Sequence, residues 1–329
     1  MPNLNHTKFK LVPQALGDVL LLNNLENNLE MFLNWGFLQM GAWWDVDYVP
    51  GGGSNTSFPA TTDPARLRLV DAPNYANGRV WEGFRMQWVW EQGVDYLSPV
   101  DSNTYNPNTV SVYVDNILQD SDDYVVNYRL GRVIFNTALA TTATVRAQYS
   151  FRWIHTYGIE NARWFRELQF GSFDADKDDF LQRDSAGGSW SIGGEHRVQL
   201  PSIVIECSAR GTSEGYELGN GSLSVHQDVL FHIVAEDSFI RNNLLDVMRV
   251  QKDKTLLLFD TDGINAASAW PLDSNGDIAN SNVYPDLVTN YIYRRCQFEE
   301  VVLSDVDMVH PDLYEGTVTT TFRIVYGNV

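Results

Sequence analysis

The sequence predicts an α+β fold: a mainly antiparallel sheet with a few helices, plus an inserted small all-β unit, a sandwich or meander. Three observations lead there. One long stretch near the start has helical periodicity. Short alternating stretches separated by turn residues crowd the segment 109–153. Beyond it, longer β-rich stretches surround two short helical ones, an α+β order. The 329 residues suffice for about two domains. The expected division is an N-terminal helix and aromatic-rich region over 1–100, the inserted β-module over 101–155, and an α+β core over 156–329.

The opening helix is read from Gln14 to about Asn34. Leu16, Val19, Leu20, Leu22, Leu25, Leu29, Phe32 and Leu33 recur mostly at three and four. Asn23, Asn24, Glu26, Asn27, Asn28 and Glu30 are expected on its polar face. Pro13 suits the entrance, where a missing N–H costs little, and Gly36 is the expected stop. Pro50 to Ser57, with three glycines in a row, reads as a mobile loop. It lacks the P-loop lysine and the dinucleotide fingerprint, so it is not a phosphate cradle. Residues 79–97 carry Val80, Trp81, Phe84, Met86, Trp88, Val89 and Trp90, and Arg85–Glu91 alternates in part, as a strand would.

The β-module opens with Val110, Val112 and Val114 at period two, followed by a turn at Asp115-Asn116. Tyr124–Tyr128, a turn at Leu130-Gly131, Arg132–Phe135 and Thr144–Phe151 continue the meander. Residues 158–169 read as a short helix, and Asp174–Asp184 as an acidic loop. Ser202–Ser208 and Leu223–Val234 read as buried strands. Ala235-Glu236-Asp237-Ser238 supplies the cap of a helix whose apolar face is Ile240, Leu244, Val247 and Met248. Leu256–Asp260, a stretch around 296–303 and the β-branched run around 317–326 are the closing strands.

Composition narrows function. Hydrophobic residues make up 44% of the chain, which excludes wholesale disorder. Lys and Arg number 23 against 42 Asp and Glu, a formal charge of −19. That argues against a broad nucleic-acid groove and against an anionic membrane surface. Cys207 and Cys296 are too few for a disulfide scaffold or a Cys-based zinc finger, and read as two buried thiols in a reducing compartment. The first residues lack a signal-peptide pattern, and no apolar run is long enough to span a bilayer. The expectation is a soluble, cytoplasmically made chain.

No constellation points to catalysis. His6, His155, His196, His226, His232 and His310 form neither HExxH nor a paired helical spacing. His226 and His232 fall in one strand and read as core or cross-strand histidines. No serine stands in a Gly-x-Ser-x-Gly elbow, and Cys207 lacks an electropositive setting. Asp174–Asp178 imitates half a calcium loop, but Asp179 replaces the required glycine and Ser185 the required glutamate. Asp273–Asp277 is a turn of the same kind. No cofactor, metal or catalytic residue is expected. Ten tryptophans invite a glycan-binding reading, with Trp43-Trp44 and Trp88-x-Trp90 as sugar platforms. The simpler reading is core and subunit-interface packing. Interface candidates are Leu25, Leu29, Phe32 and Trp35 on the helix, and Trp43, Trp44, Trp88 and Trp90.

Two segments carry a resemblance. Val112–Asn116, Asp123–Tyr128 and Gly131–Ala138 resemble a small β-module that recurs in structural proteins of tailed bacteriophages. Ser202–Glu206, Tyr216–Gly219, Asp228–Asp237 and Arg241–Asp246 resemble the strand–strand–helix core of phage neck and tail-completion (tail-terminator) proteins. In those proteins a helix with an arginine near its start follows the strand, which adds Arg241 to the interface candidates. The resemblance implies a non-enzymatic virion protein, assembled in the host cytoplasm, that forms a homo-oligomeric ring, a hexamer in the expected case. It would contact tail tube, sheath or head-connector proteins. Such a ring needs a heterologous contact that closes, and its acidic lumen would let DNA pass without sequence-specific binding. The alternatives are a baseplate or tail-tip adaptor, a glycan- or receptor-binding virion module, and a wall hydrolase with paired carboxylates.

Overall fold

The computed structural model describes residues 21–56, 63–90, 109–170, 181–184, 189–192, 196–215, 223–304, 308–310 and 313–326. Within them the fold is mixed α+β with mostly antiparallel sheets. The expected features at 14–20, 91–97, 174–180 and 216–222 lie outside the described residues.

Helix α1 runs Leu21–Gln39. Leu25, Leu29, Leu33 and Phe37 recur every fourth residue and are all buried. The helix passes through Gly36, the expected stop, because Phe37 and Leu38 extend its apolar stripe. It ends instead at Gly41, which adopts φ +80°. There Ala42 N–H donates to Phe37 C=O at 3.0 Å and Gly41 N–H to Leu38 C=O at 2.9 Å, the paired bonds of a Schellman motif. Nor is the expected polar face wholly solvated, since Asn24, Asn28 and Asn34 are buried.

A sandwich lobe follows. One sheet runs in the order β2 (Gly53–Thr56), β1 (Trp43–Val49), β10 (Val145–Arg152), β6 (Ser111–Val114), β7 (Ile117–Leu118), with β5 (Trp88–Val89) also on β10. The other runs β3 (Arg68–Leu69), β4 (Val80–Glu82), β9 (Arg132–Phe135), β8 (Tyr124–Asn127). Alternate residues of β10 (Val145, Ala147, Tyr149, Phe151) and of β9 (Val133, Phe135) meet Val46, Tyr48, Leu67, Trp81, Trp88 and Val112 in one core. Asp115 and Asn116 both take positive φ (50° and 70°), the two-residue turn that matches strand twist.

The 101–155 module is therefore not closed on itself. Trp43 pairs with Arg152 and Val46 with Tyr149, while Trp81 pairs with Val133. Strands from 43–89 complete both sheets. Pro50–Gly52 is a hairpin turn rather than a loose loop: Val49 pairs with Gly53 and Tyr48 with Ser54. Between Glu82 and Trp88 the chain turns instead of continuing as a strand, with Gln87 at φ 52°.

The second lobe is built on a seven-stranded sheet. Its order is β11 (His155–Gly158), β15 (Ser202–Gly215), β16 (Leu223–Ala235), β20 (Leu313–Tyr326), β18 (Ile292–Ser304), β17 (Thr255–Phe259), with β19 (Met308–His310) on β20. All pairs are antiparallel except β11 with β15. One face carries α1 and α3 (Ser238–Arg249), whose Leu244, Leu245 and Met248 join Ile203, Ile205, Phe231, Phe298 and Phe322. Helix α2 (Arg163–Phe170) packs Trp164, Phe165 and Leu168 with Val204 and Val234 of the opposite face. Asp237 caps α3 by accepting from the Phe239 and Ile240 N–H groups. Short helices α4 (Thr261–Ala267) and α5 (Tyr284–Asn290) cover Phe259. A small sheet of β12 (Leu181–Asp184), β13 (Ser189–Ile192) and β14 (His196–Gln199) completes the fold.

Helix α1 thus belongs with the C-terminal sheet and not with an N-terminal region. Asn28 shows how: its Oδ1 accepts the Phe259 N–H at 2.7 Å and its Nδ2 donates to the Phe259 C=O at 3.0 Å. One side chain acts as an extra strand partner for the end of β17.

Candidate functional site

The interface candidates separate into three groups. Leu25 and Leu29 are enclosed by this chain's own core, so a partner has no access to them, and Trp88 is buried in the sandwich core behind the cleft described below. Their periodicity and aromaticity reported a core. Phe32 and Trp44 are half-buried among rings of the same chain: Phe32 with Tyr284 and Phe298, Trp44 edge-on to Trp153. Trp43 packs with Leu38 and Val89. Arg241 stands over the Tyr314 ring at 5.7 Å and donates to Asn242. Trp35 and Trp90 meet elsewhere, in a cleft between the lobes.

That cleft has a volume of 930 Å³, within the range of small-ligand and peptide sites. Helix α1 gives it Glu30, Asn34 and Leu38 from one stripe, with Trp35 beside them. The sandwich contributes the turn at Met86–Gln87, β5, and the β8–β9 turn from Tyr128 to Arg132. Trp164 of α2, Trp270 and Tyr284 form the remaining wall. Five of the ten tryptophans line this one space. Gly131, at φ +63°, is required in the β8–β9 turn, because a Cβ there would meet the Arg85 carbonyl and the Trp88 indole.

A polar hub holds the lobes together beneath the cleft. Arg85 is fully buried, with its guanidinium 5.3 Å from the Phe151 ring. It donates to the Leu200 C=O at 3.2 Å and reaches His155 Nε2 at 3.4 Å. Arginine only donates, so Nε2 accepts, and Nδ1–H faces Gln87 Oε1 at 3.0 Å. Gln199 closes the network, accepting from Met86 N–H and donating to Phe84 C=O.

In the cleft, Glu82 is buried and both of its oxygens are held, by Arg68 and Arg132, each at 2.8 Å. Glu30 accepts the Gly158 N–H at 3.3 Å. Burial raises its pKa, while that N–H and the charges of Arg152 and Arg129 act the other way. Burial likewise lowers the Arg152 guanidinium to about 10, Glu30 opposing, and pushes the Tyr157 and Tyr128 phenols up. Trp88 and Trp270 satisfy their indole N–H on Arg85 C=O and Asn265 Oδ1. Trp90 Nε1, Asn34 Oδ1 and Arg152 Nε are buried without a hydrogen-bond partner. The accessible wall is mainly aromatic, and these three atoms lie behind it, out of contact with the cleft.

The strand histidines meet carboxylates across the sheet, partners that the sequence reading did not name. His226 Nδ1 lies 2.8 Å from Glu299, and His232 lies between Glu315 at 3.1 Å and Glu206 at 3.2 Å. Asp273 closes its own turn by accepting the Asn275 and Asp277 N–H groups. No three His, Cys, Asp or Glu among the described residues are grouped to hold a metal. Both cysteines are free thiols; burial pushes Cys207 up, and Cys296 up to about 12. No helix among the described residues is long and apolar enough to cross a membrane.

No protein-family model matches the chain, and no curated protein matches it in sequence. Neither the cleft nor the buried hub was foreseen from sequence. The partial signal was the Trp88-x-Trp90 pair: alternation places the two rings in one neighbourhood, but only the fold brings α1 and Trp270 to them.

Proposed function

We propose that this chain is a non-enzymatic structural subunit of a tailed-phage virion. It assembles into a closed ring at the head–tail neck or tail end, in a tail-completion or terminator role. The observation that carries this reading is the presence of two unlike apolar surfaces on different lobes. On the sandwich, Ile117 and Leu118 form the edge strand β7 and are exposed, Ile117 at 68%; Val125 is exposed on the edge strand β8. On the other lobe, Phe239 at the start of α3 is 71% exposed, and Val302 and Leu303 are exposed on β18. Apolar edge strands left open invite pairing with another chain. Two unlike patches on one subunit make a head-to-tail contact, which closes into a ring when the rotation allows.

The two resembling segments support the reading from the sequence side. Residues 112–138 form β6 to β9 of the sandwich, and 202–246 contribute β15, β16 and α3. Native mass spectrometry followed by negative-stain imaging tests it. The expected result is a ring in the wild type and a folded monomer in the I117D/L118D double variant. A wild type that stays monomeric, alone and with neighbouring virion proteins, overturns it.

A further inference from the structure

We propose that the seven-stranded sheet continues from one copy of this chain into the next, the free edge of β18 in one subunit pairing with the free edge of β15 in its neighbour. This rests on the ring reading above and names the main-chain contact that closes it.

Both edges are open in the single chain. Strand β15 pairs with β11 only from Ser202 to Ile205. Strand β17 and the turn before it reach β18 only as far as Phe298. Beyond those points, Gly211–Gly215 and Glu300–Ser304 pair with the sheet on one side and with no described strand on the other. Gly211–Gly215 is exposed throughout, as are Glu300, Val302, Leu303 and Ser304. An open row of N–H and C=O groups is a template for another strand. The usual defences of an edge are missing, since neither segment holds a lysine or a proline. Each carries one charge, Glu214 or Glu300, and Glu214 reaches His226 on β16 at 3.4 Å.

Direction and level fit these two edges to each other. Three antiparallel pairings join β15, β16, β20 and β18, so β15 and β18 run in opposite directions. A rotation about an axis near the strand direction keeps those directions, so the join between neighbours is itself antiparallel. The sheet then alternates without a break around a ring. Pairing like edges, β18 with β18, would stop at a two-fold dimer. Along the strands the edges are offset: Ser213 is level with Ile324 of β20 through Val225, and Val302 with Thr319. Ile324 and Thr319 are separated by about 17 Å along a strand, against about 19 Å across four strands. That ratio is a tilt of about 40°, within the roughly 35–45° at which strands close into barrels. Register shifts at Cys207–Gly211 and Phe298–Glu300 precede both open segments. Such bulges supply the curvature that closure needs.

Disulfide trapping in the full chain tests it. Thr212→Cys is combined in turn with Glu300→Cys, Val302→Cys and Ser304→Cys, which share its face of the sheet by register and scan the pairing. Within one chain the two edges are three strand spacings apart, about 14 Å, beyond disulfide reach, so any bond joins two copies. Circular dichroism matched to wild type shows each variant folded. The expected result for one combination is a non-reducing gel ladder at multiples of 37.3 kDa that ends at the ring mass. Single-cysteine variants stay at one chain on the gel, as does Thr212→Cys with Leu303→Cys on the opposite face. Hydrogen exchange of the wild type should show 211–215 and 300–304 protected in the ring and unprotected after dilution below assembly. Wild-type rings with no link in any combination, or with both segments exchanging freely, overturn the edge pairing and leave the ring reading. Linked dimers from Val302→Cys alone overturn it in favour of like-edge pairing. A ladder that runs on without end, from open fibres, supports the pairing and overturns the ring. A wild type that stays monomeric overturns both.

Discussion

The sandwich lobe takes its buried core from residues between Val46 and Phe151, and its strands pair with partners between Trp43 and Arg152. The other lobe takes Leu25, Leu29, Leu33 and Phe37 from α1 and packs them on strands that follow the sandwich. Its Asn28–Phe259 bridge joins residues 231 positions apart. The difference shows what the insertion does. Trp43 pairs with Arg152, so the closed sandwich delivers the end of α1 and the start of β11 to the same place. Trp153 packs against both cores at that junction. A long loop becomes a short one once the sandwich has folded, which removes most of the closure entropy. The first lobe is a clamp for the second.

That comparison can be broken most strongly at Trp88, buried and stacked on Tyr149 at a 4.0 Å centroid separation. Trp88→Ala is expected to destabilise the chain by about 3–5 kcal/mol. Hydrogen exchange should then report lost protection in both lobes, because the clamp opens. Protection confined to the second lobe would contradict the clamp. Leu29→Ala, expected to cost about 3 kcal/mol, should expose β15 to β18 while β1 to β10 stay protected.

A smaller effect sharpens the contrast. Asn28→Ala leaves the buried Phe259 N–H and C=O without their side-chain partner, which is expected to cost about 2 kcal/mol. Denaturant unfolding should show it as a lower midpoint with protection lost first in β17. The smallest effect is a pH slope. Burial first, then the charges of Glu30, Glu160 and Glu206, raise Glu26 from 4.5 to about 7. The folded state then binds this proton more tightly than the unfolded one. Its contribution therefore favours folding as pH falls from about 7 towards 4.5 and opposes it as pH rises through that window. Glu26→Gln should flatten that part of the stability profile; an unchanged profile would assign the slope to other groups.

Local chemistry was legible in the sequence. The Asp115-Asn116 turn, a helix cap within Ala235–Ser238, the alternation of β9 and β10 and the class of fold all follow from signals a few residues long. Long-range assembly was not. Nothing near Leu25 or Leu29 says which lobe they face, and a stripe that packs in a core has the same period as one that packs on a partner. Trp88 was misplaced for that reason. The polar residues of α1 misled in the opposite sense, because Asn28 is buried by a bond to a strand far along the chain. The cleft was invisible because its walls come from α1, both sandwich sheets, α2 and the segment around Trp270, which only the fold brings together.

Position in the virion is the most direct test of the proposed role. Antibody against this chain, detected by gold labelling on intact particles, should mark one focus at the head–tail junction. Particles that carry no label at any position, or label scattered over the capsid surface, would contradict a neck or tail-end ring, and a focus confined to the distal tail tip would move the subunit to the baseplate.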